Sequence, residues 1–276
     1  VPRARSRSYT YLLGDSPTET ERLRAQARLW DPTAHALFDR LKIRRGTRVL
    51  EIGPGAGSLH RELRRRARNP VDAVEPSEAF ARGVERLAAR DGFGQPQIWR
   101  ANLSAVQLPR NHYDVIFARW VFLFLPDPAA HVRQLARALR PGGVLAVEDY
   151  QRETLRMIPP PAAWERFLAA DRAFFETQGG HASIAAQLPP LFTRAGLTMV
   201  DITPTVRSGH PGSPVWNWLS AYFLGVVIDR LVGLAGFTAA DARQLTRDWV
   251  AASKQPASLL MGPALIDVVG RKQRRA

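Results

Sequence analysis

The sequence predicts an α/β fold built on a parallel sheet, on three observations. Segments that read as strands alternate with segments that read as helices from about residue 43 to residue 150, the pattern of successive βαβ units. The strand segments "RVLEI", "DVIFA" and "VLAVE" are apolar on both faces, as strands covered by helices on both sides must be. The stretch "VLEIGPGAGSL", residues 49–59, turns a strand into a helix through Gly53, Gly55 and Gly57. Glycine at that density costs backbone entropy, so it marks a place where a ligand lies against the main chain.

Ahead of the first strand, Ser16, Pro17 and Glu19 make a capping box with proline at the first helical position. Asp31 and Pro32 repeat that device, so a second helix is expected to run to about Leu41. After strand "RVLEIG" come helix "SLHRELRRRAR", strand "VDAVEP", helix "SEAFARGVERLAAR" capped by Ser77, and a short strand within "PQIWRANL". "YDVIFARWVFLFL" reads as a strand running into further apolar residues, "DPAAHVRQLARALRPGG" as a helix stopped by Pro141 and Gly142, and "VLAVEDY" as the next strand. Beyond Tyr150, "AAWERFLAADRAFFE" and "QLPPLFTRAG" read as helices and "LTMVDITPTV" as a strand. A helical stretch from about Val215 to Ala252 and the strand "ALIDVV" complete the reading. The whole of 1–276 is expected to be one domain. Residues 1–42 form a helical lid, 43–150 the core, 151–190 and 208–256 helical insertions, and 191–207 and 257–272 closing strands.

Composition sets limits. The 276 residues are 45% hydrophobic and 23% charged, ordinary for a globular chain. There is no cysteine, which removes disulfides, thiolate metal sites and a Cys nucleophile; no metal site is expected. No signal-peptide pattern stands at the basic N-terminus and Asp229 and Arg230 break the most apolar late stretch, so the reading is cytoplasmic, without a membrane span. The net charge is +14 and almost wholly arginine, the only lysines being Lys42, Lys254 and Lys272. Such a balance raises nucleic acid as a partner, but the clusters "RELRRRAR" and "RKQRR" carry no interleaved aromatics to stack bases.

The glycine spacing selects the ligand. A dinucleotide loop is G-x-G-x-x-G; here G-P-G-A-G is followed by Ser58 and preceded by Glu51. That E-x-G-x-G-x-G pattern resembles the first motif of class I S-adenosylmethionine (SAM)-dependent methyltransferases, in their small-molecule, UbiE-like branch. Glu75 ends the second strand, "ANL" (101–103) follows the third, and "LRPGGVLAVEDY" and "LIDVVGRK" resemble the family's fifth strand and closing antiparallel strand. The resemblance covers about 40–150 and 190–272. It implies a Rossmann-like sheet of order 3-2-1-4-5-7-6 with the last strand antiparallel, and SAM as cofactor, leaving S-adenosylhomocysteine as product. It further implies that Gly53, Gly55 and Gly57 admit the cofactor, Glu51 lies near its methionyl end, and Glu75 takes both ribose hydroxyls. Asn102, where the family has aspartate, and Leu103 would meet adenine, and Arg119 would stand beside the methionyl amino group.

The acceptor is less legible. No N-P-P-Y or D-P-P-Y follows the fourth strand, where the text is "ARWVFLFLPDP", which argues against the exocyclic-amine methylases of nucleic acids. His181 in "TQGGHASIAAQL" is the candidate base, in a glycine-bounded loop. Glu148, Asp149, His210, Tyr9, Tyr11 and Tyr150 also stand near the expected pocket, and Tyr9, Tyr11, Tyr150, His181 and Trp218 are expected to meet substrate. Trp164, Phe167, Phe174, Phe175, Trp216, Trp218, Tyr222 and Phe223 read equally as lid or core. The function expected is methyl transfer to a small hydrophobic or aromatic metabolite. The alternatives are an RNA methyltransferase using the arginine surface and a SAM-fold protein that binds without transfer. The sequence leaves a homodimer open.

Overall fold

The computed structural model describes residues 17–274; the capping residue Ser16 and the tyrosines Tyr9 and Tyr11 lie outside them. Where two helices are expected there is one, α1 (Pro17–Arg40), with Pro32 inside it. Proline forfeits one intrahelical hydrogen bond. Trp30, Ala34, Leu37 and Phe38 straddle it at helical spacing and are all fully buried, so one continuous apolar stripe holds the helix together across the break.

The core then alternates as its sequence pattern requires. It comprises β1 (Val49–Ile52), α2 (Ser58–Ala67), β2 (Val71–Val74), α3 (Glu78–Asp91), β3 (Ile98–Trp99), β4 (Tyr113–Arg119), α4 (Pro128–Ala138) and β5 (Leu139–Gln151). Ser77 caps α3 by accepting from the backbone N of Phe80. Helix α4 stops short of the expected Pro141–Gly142 signal. Leu139 already pairs with Tyr113, and the register jumps to Val115–Val144, so Arg140–Gly143 bulge out of the ladder. Proline 141 disfavours helical backbone at the residue before it.

Beyond β5 come β6 (Arg156–Ile158), α5 (Trp164–Glu176), α6 (Leu188–Arg194), β7 (Leu197–Thr205), β8 (Ser208–Gly209) and α7 (Pro214–Tyr222). A π-helical turn at Phe223–Val227 leads into α8 (Ile228–Leu231), followed by α9 (Ala239–Ala252), β9 (Leu259–Met261) and β10 (Ala264–Lys272). The expected helical stretch 215–252 is thus interrupted. Gly233 and Gly236 adopt positive φ between α8 and α9, and a Thr238–Asp241 capping box restarts the helix.

Seven strands form the main sheet in the order β3-β2-β1-β4-β5-β10-β7. Counting only these strands, the order is 3-2-1-4-5-7-6, and β10 runs antiparallel to both β5 and β7. A second sheet, β6-β9-β8, was not legible in the sequence; its strands are only two or three residues long. The side chains of β4 alternate between two cores. Val115 and Phe117 pack on the side of α1 and α2 with Leu37, Phe38, Leu59 and Leu63. Ile116 and Ala118 pack on the opposite side with the residues of α4, α5 and α7. Three arginines tie α1 to the rest of the fold: Arg119 Nη2 donates to Asp31 Oδ1 at 2.6 Å, Arg40 bonds both Asp267 on β10 and Asp201 on β7, and Arg66 of α2 donates to Asp39.

Candidate active site

A cavity of about 1010 Å³ opens at the carboxyl ends of β1, β2, β4 and β5, the place where open α/β sheets bind ligands. Glycines 53, 55 and 57 all take positive φ in the turn from β1 to α2. Each lacks a side chain for its own reason. A Cβ on Gly53 would come within 2.7 Å of Val121 Cγ2, and one on Gly57 within 2.8 Å of Leu87 Cδ1, whereas one on Gly55 would meet nothing within 4 Å. Gly53 and Gly55 line the cavity and Gly57 stands behind it.

At this end Glu51, Glu75, Asn102, Leu103 and Arg119 all reach the wall, so the expected cofactor residues converge apart from Gly57. Glu75 Oε2 accepts from Gly55 N at 3.1 Å and Oε1 from Ser77 N at 2.9 Å. Burial nevertheless pushes its pKa up to about 7, with the two backbone N–H groups opposing and nearby Glu51 adding to the rise. Glu51 Oε2 is paired at 2.8 Å with Nδ1 of fully buried His60, a partner on α2 that the sequence reading missed. The amphipathic pattern of α2 turns His60 inward with Leu59 and Leu63, which was the available signal.

The other end is aromatic. Tyr150 and Trp218 line it, together with Trp120, Phe175, Tyr222 and Phe223. Trp120 stacks on Tyr150 with ring centroids 5.6 Å apart, and Trp30 packs edge-on against Trp120, Tyr150 and Trp218. Trp120 is held at φ 55°, a left-handed conformation that a bulky residue adopts only where its surroundings impose it. Of the other aromatics that read equally as lid or core, Trp164, Phe167, Phe174 and Trp216 belong to the core and do not line the cavity.

Arg152 is the largest element the sequence reading missed. It is buried, lines the cavity, and gives Nε and Nη2 to the two carboxylate oxygens of Asp171 on α5 at 2.7 and 2.6 Å. Burial disfavours its charge, but Asp171 and the neighbouring Tyr222 hold its pKa above the ordinary value. In a chain this rich in arginine, nothing local distinguishes it.

The candidate bases fall elsewhere. His181 stands behind the wall that Thr177–Gly180 form. Its backbone N donates to Leu123 O at 2.8 Å, and its Nε2 is buried without a partner among the described residues. Gly180 lies so close to Leu123 O that a Cβ there would approach to 2.4 Å, so the two loops are docked backbone to backbone. Asp149 is buried beneath the site, accepting from Leu123 N and Tyr150 N; burial pushes its pKa up to about 7. Glu148 is buried beside Arg119, and burial together with the facing Asp267 on β10 raises it well above the carboxylate range, Arg119 opposing. His210 bonds Pro211 O and lines no part of the cavity. The histidine on the wall is His131 of α4. Among the described residues no cluster suited to a metal ion is present, and no helix is long and apolar enough to cross a membrane.

A 3-2-1-4-5-7-6 sheet, a three-glycine turn after β1 and an acidic residue closing β2 define the class I SAM-dependent methyltransferase fold. A family profile described as a methyltransferase domain matches residues 22–202, and the chain belongs to that family, whose methyl donor is SAM. Trans-aconitate 2-methyltransferase of Azoarcus sp. (strain BH72) is 32% identical over 145 residues, covering 51% of this chain and 55% of that protein. The chain spans about half or less of the length of the first curated relatives it matches. Among solved structures, geranyl diphosphate C-methyltransferase from Streptomyces coelicolor A3(2), bound to S-adenosylhomocysteine, superposes with a TM-score of 0.57 at 13% identity, over 89% of this chain and 77% of that one. The [4+2]-cyclase SpnF superposes with a TM-score of 0.56 at 20% identity, over 89% and 83%.

Proposed function

We propose that the protein transfers the methyl group of SAM to a small, largely apolar acceptor. The observation that carries this reading is the continuity of one cavity, whose glycine-and-carboxylate end runs without a partition into an aromatic end. Its volume stands at the upper limit for a site holding one drug-sized ligand, and so suits a cofactor and an acceptor together. The residues present fit the cofactor. Gly55 leaves open space beside the loop, the carboxylate of Glu75 suits two ribose hydroxyls, and buried Arg119 has a free Nη1 for the methionyl carboxylate.

Bound SAM supplies a methyl group already activated on a sulfonium. The chain's contribution is then orientation and exclusion of water. Trp120, Tyr150 and Trp218 give the acceptor flat walls, and the Thr177–Gly180 segment, fixed through His181 N and Leu123 O, closes one side. His181 acts in this reading by positioning that segment. The test is methyl transfer from labelled SAM to a panel of apolar acceptors, with calorimetry against SAM, S-adenosylhomocysteine and NAD. Glu75→Ala is expected to weaken SAM by about 1.5–3 kcal/mol, the scale of hydrogen bonds to a charged group. NAD binding tighter than either SAM-type ligand removes the proposal.

A further inference from the structure

The aromatic end of the cavity carries hydrogen-bond donors and no side-chain carboxylate free to answer a cation. Arg152 spends Nε and Nη2 on Asp171, which leaves Nη1 uncommitted among the described residues. Trp120 and Trp218 line the same end, and the buried Nε1 of each lacks a partner among the described residues. A buried donor without a partner carries a desolvation cost that an incoming acceptor atom relieves.

The buried carboxylates nearby are committed. Asp171 is saturated by Arg152 and Asp149 by backbone N–H groups of Leu123 and Tyr150, while Asp127, which caps α4 by accepting from Ala130 N through Oδ1, is exposed and screened by solvent. Glu51 and Glu75 belong to the glycine-loop end. Four of the ring faces that could hold an ammonium ion already hold guanidinium groups, and Trp218 and Tyr222 stack on each other. Arg119 lies 4.4 Å from the centroid of Trp120, and Arg152 lies 4.9 Å from Phe175, 5.8 Å from Phe223 and 6.0 Å from Tyr150. A second cation there would meet like charge in a medium that screens it poorly.

We infer that the acceptor is a flat, hydrocarbon-rich molecule bearing an oxyanion, a carboxylate or an enolate, which Arg152 and the two indole N–H groups hold at the aromatic end, and that amine acceptors are rejected. This rests on the methyl-transfer reading of the site and names its substrate class. The oxyanion would sit beside a guanidinium whose own charge Asp171 fixes in place, and a charge-assisted bond of that kind is about twice as strong as a neutral one.

The experiment uses two probes with one ring and opposite charge, 2-naphthoate and 2-naphthylmethylammonium, titrated calorimetrically into the protein with and without S-adenosylhomocysteine. Naphthoate is expected to bind at least ~10-fold tighter, about 1.4 kcal/mol. Arg152→Lys keeps the ion pair with Asp171 but removes the third nitrogen, and Trp218→Phe removes one donor while keeping the stacking ring. Each is expected to weaken naphthoate several-fold with the affinity for S-adenosylhomocysteine unchanged. Equal or tighter binding of the ammonium probe, no measurable naphthoate binding, or naphthoate affinity untouched by both variants overturns the inference. Failure of S-adenosylhomocysteine to bind removes the methyl-transfer reading instead, and the charge preference is still read from the titration without it.

Discussion

Glu75 combines a strand-end position with burial, and the combination makes it responsive to pH. Its carboxyl ionises at about 7 in the folded protein against 4.5 for the ordinary group. The ligand-free fold therefore keeps a proton there that the unfolded chain has lost, and its stability falls as pH rises from about 4.5 through about 7. Ribose hydroxyls donating to Glu75 favour the charged form. SAM affinity is expected to increase as pH rises towards about 7 and level off above, and Glu75→Gln is expected to flatten that profile in calorimetry between pH 6 and pH 8. The glycines divide in the same residue-by-residue way. Gly55→Ala is expected to fold, with about 1–2 kcal/mol of strain from its positive φ, and to lose SAM. Gly53→Ala meets Val121 Cγ2 and is expected to lose more stability than Gly55→Ala in urea denaturation.

At the scale of elements, Arg152 and Asp171 join the end of β5 to α5 across the cavity wall. Asp171→Ala leaves a buried guanidinium without its counter-charge and is expected to destabilise the fold by about 3–5 kcal/mol. The apolar pair Arg152→Met with Asp171→Leu is expected to recover most of that loss, again by urea denaturation. The elements that were legible in the sequence are those with strong periodicity or strong punctuation: β1, β4 and β5 by their apolar runs, α3 by Ser77, β10 by "ALIDVV". Those that were not lack such signals. The β6-β9-β8 sheet exists because distant short segments meet. The unity of α1 depends on buried contacts of Trp30 and Phe38 that outweigh the local signal of Pro32. Likewise the cofactor end could be read from motif spacing, while Arg152, Trp120 and His60 are brought in by packing that no local pattern records.

For the whole molecule, a cavity whose walls are drawn from the core strands and from α1, α4 and α7 means that ligand binding and global stability are linked. S-adenosylhomocysteine at 100 times its dissociation constant adds about 2.7 kcal/mol to the folded state, and at roughly 2–4 °C per kcal/mol for a chain of this size class the midpoint is expected to rise by roughly 5–10 °C in a thermal scan. NAD at the same concentration is expected to leave it unmoved. Most of the net charge of +14 sits outside this linkage, and the arginines that matter to the site, Arg119 and Arg152, are each held by an aspartate with one Nη left over.

Helix α1 contributes Leu23, Gln26 and Ala27 to the cavity wall, and further along it Asp31, Asp39 and Arg40 are paired with Arg119, Arg66 and the aspartates Asp201 and Asp267. One helix thus both lines the cavity and is pinned to the sheet, so a change at its pins is expected to be felt at the site. Trp30, next to Asp31, is fully buried against Trp120, Tyr150 and Trp218, so tryptophan emission is expected to change when a ligand fills the aromatic end. Replacing Asp31 with Asn removes the counter-charge of buried Arg119 and is expected to lower stability in urea denaturation and to alter that emission change.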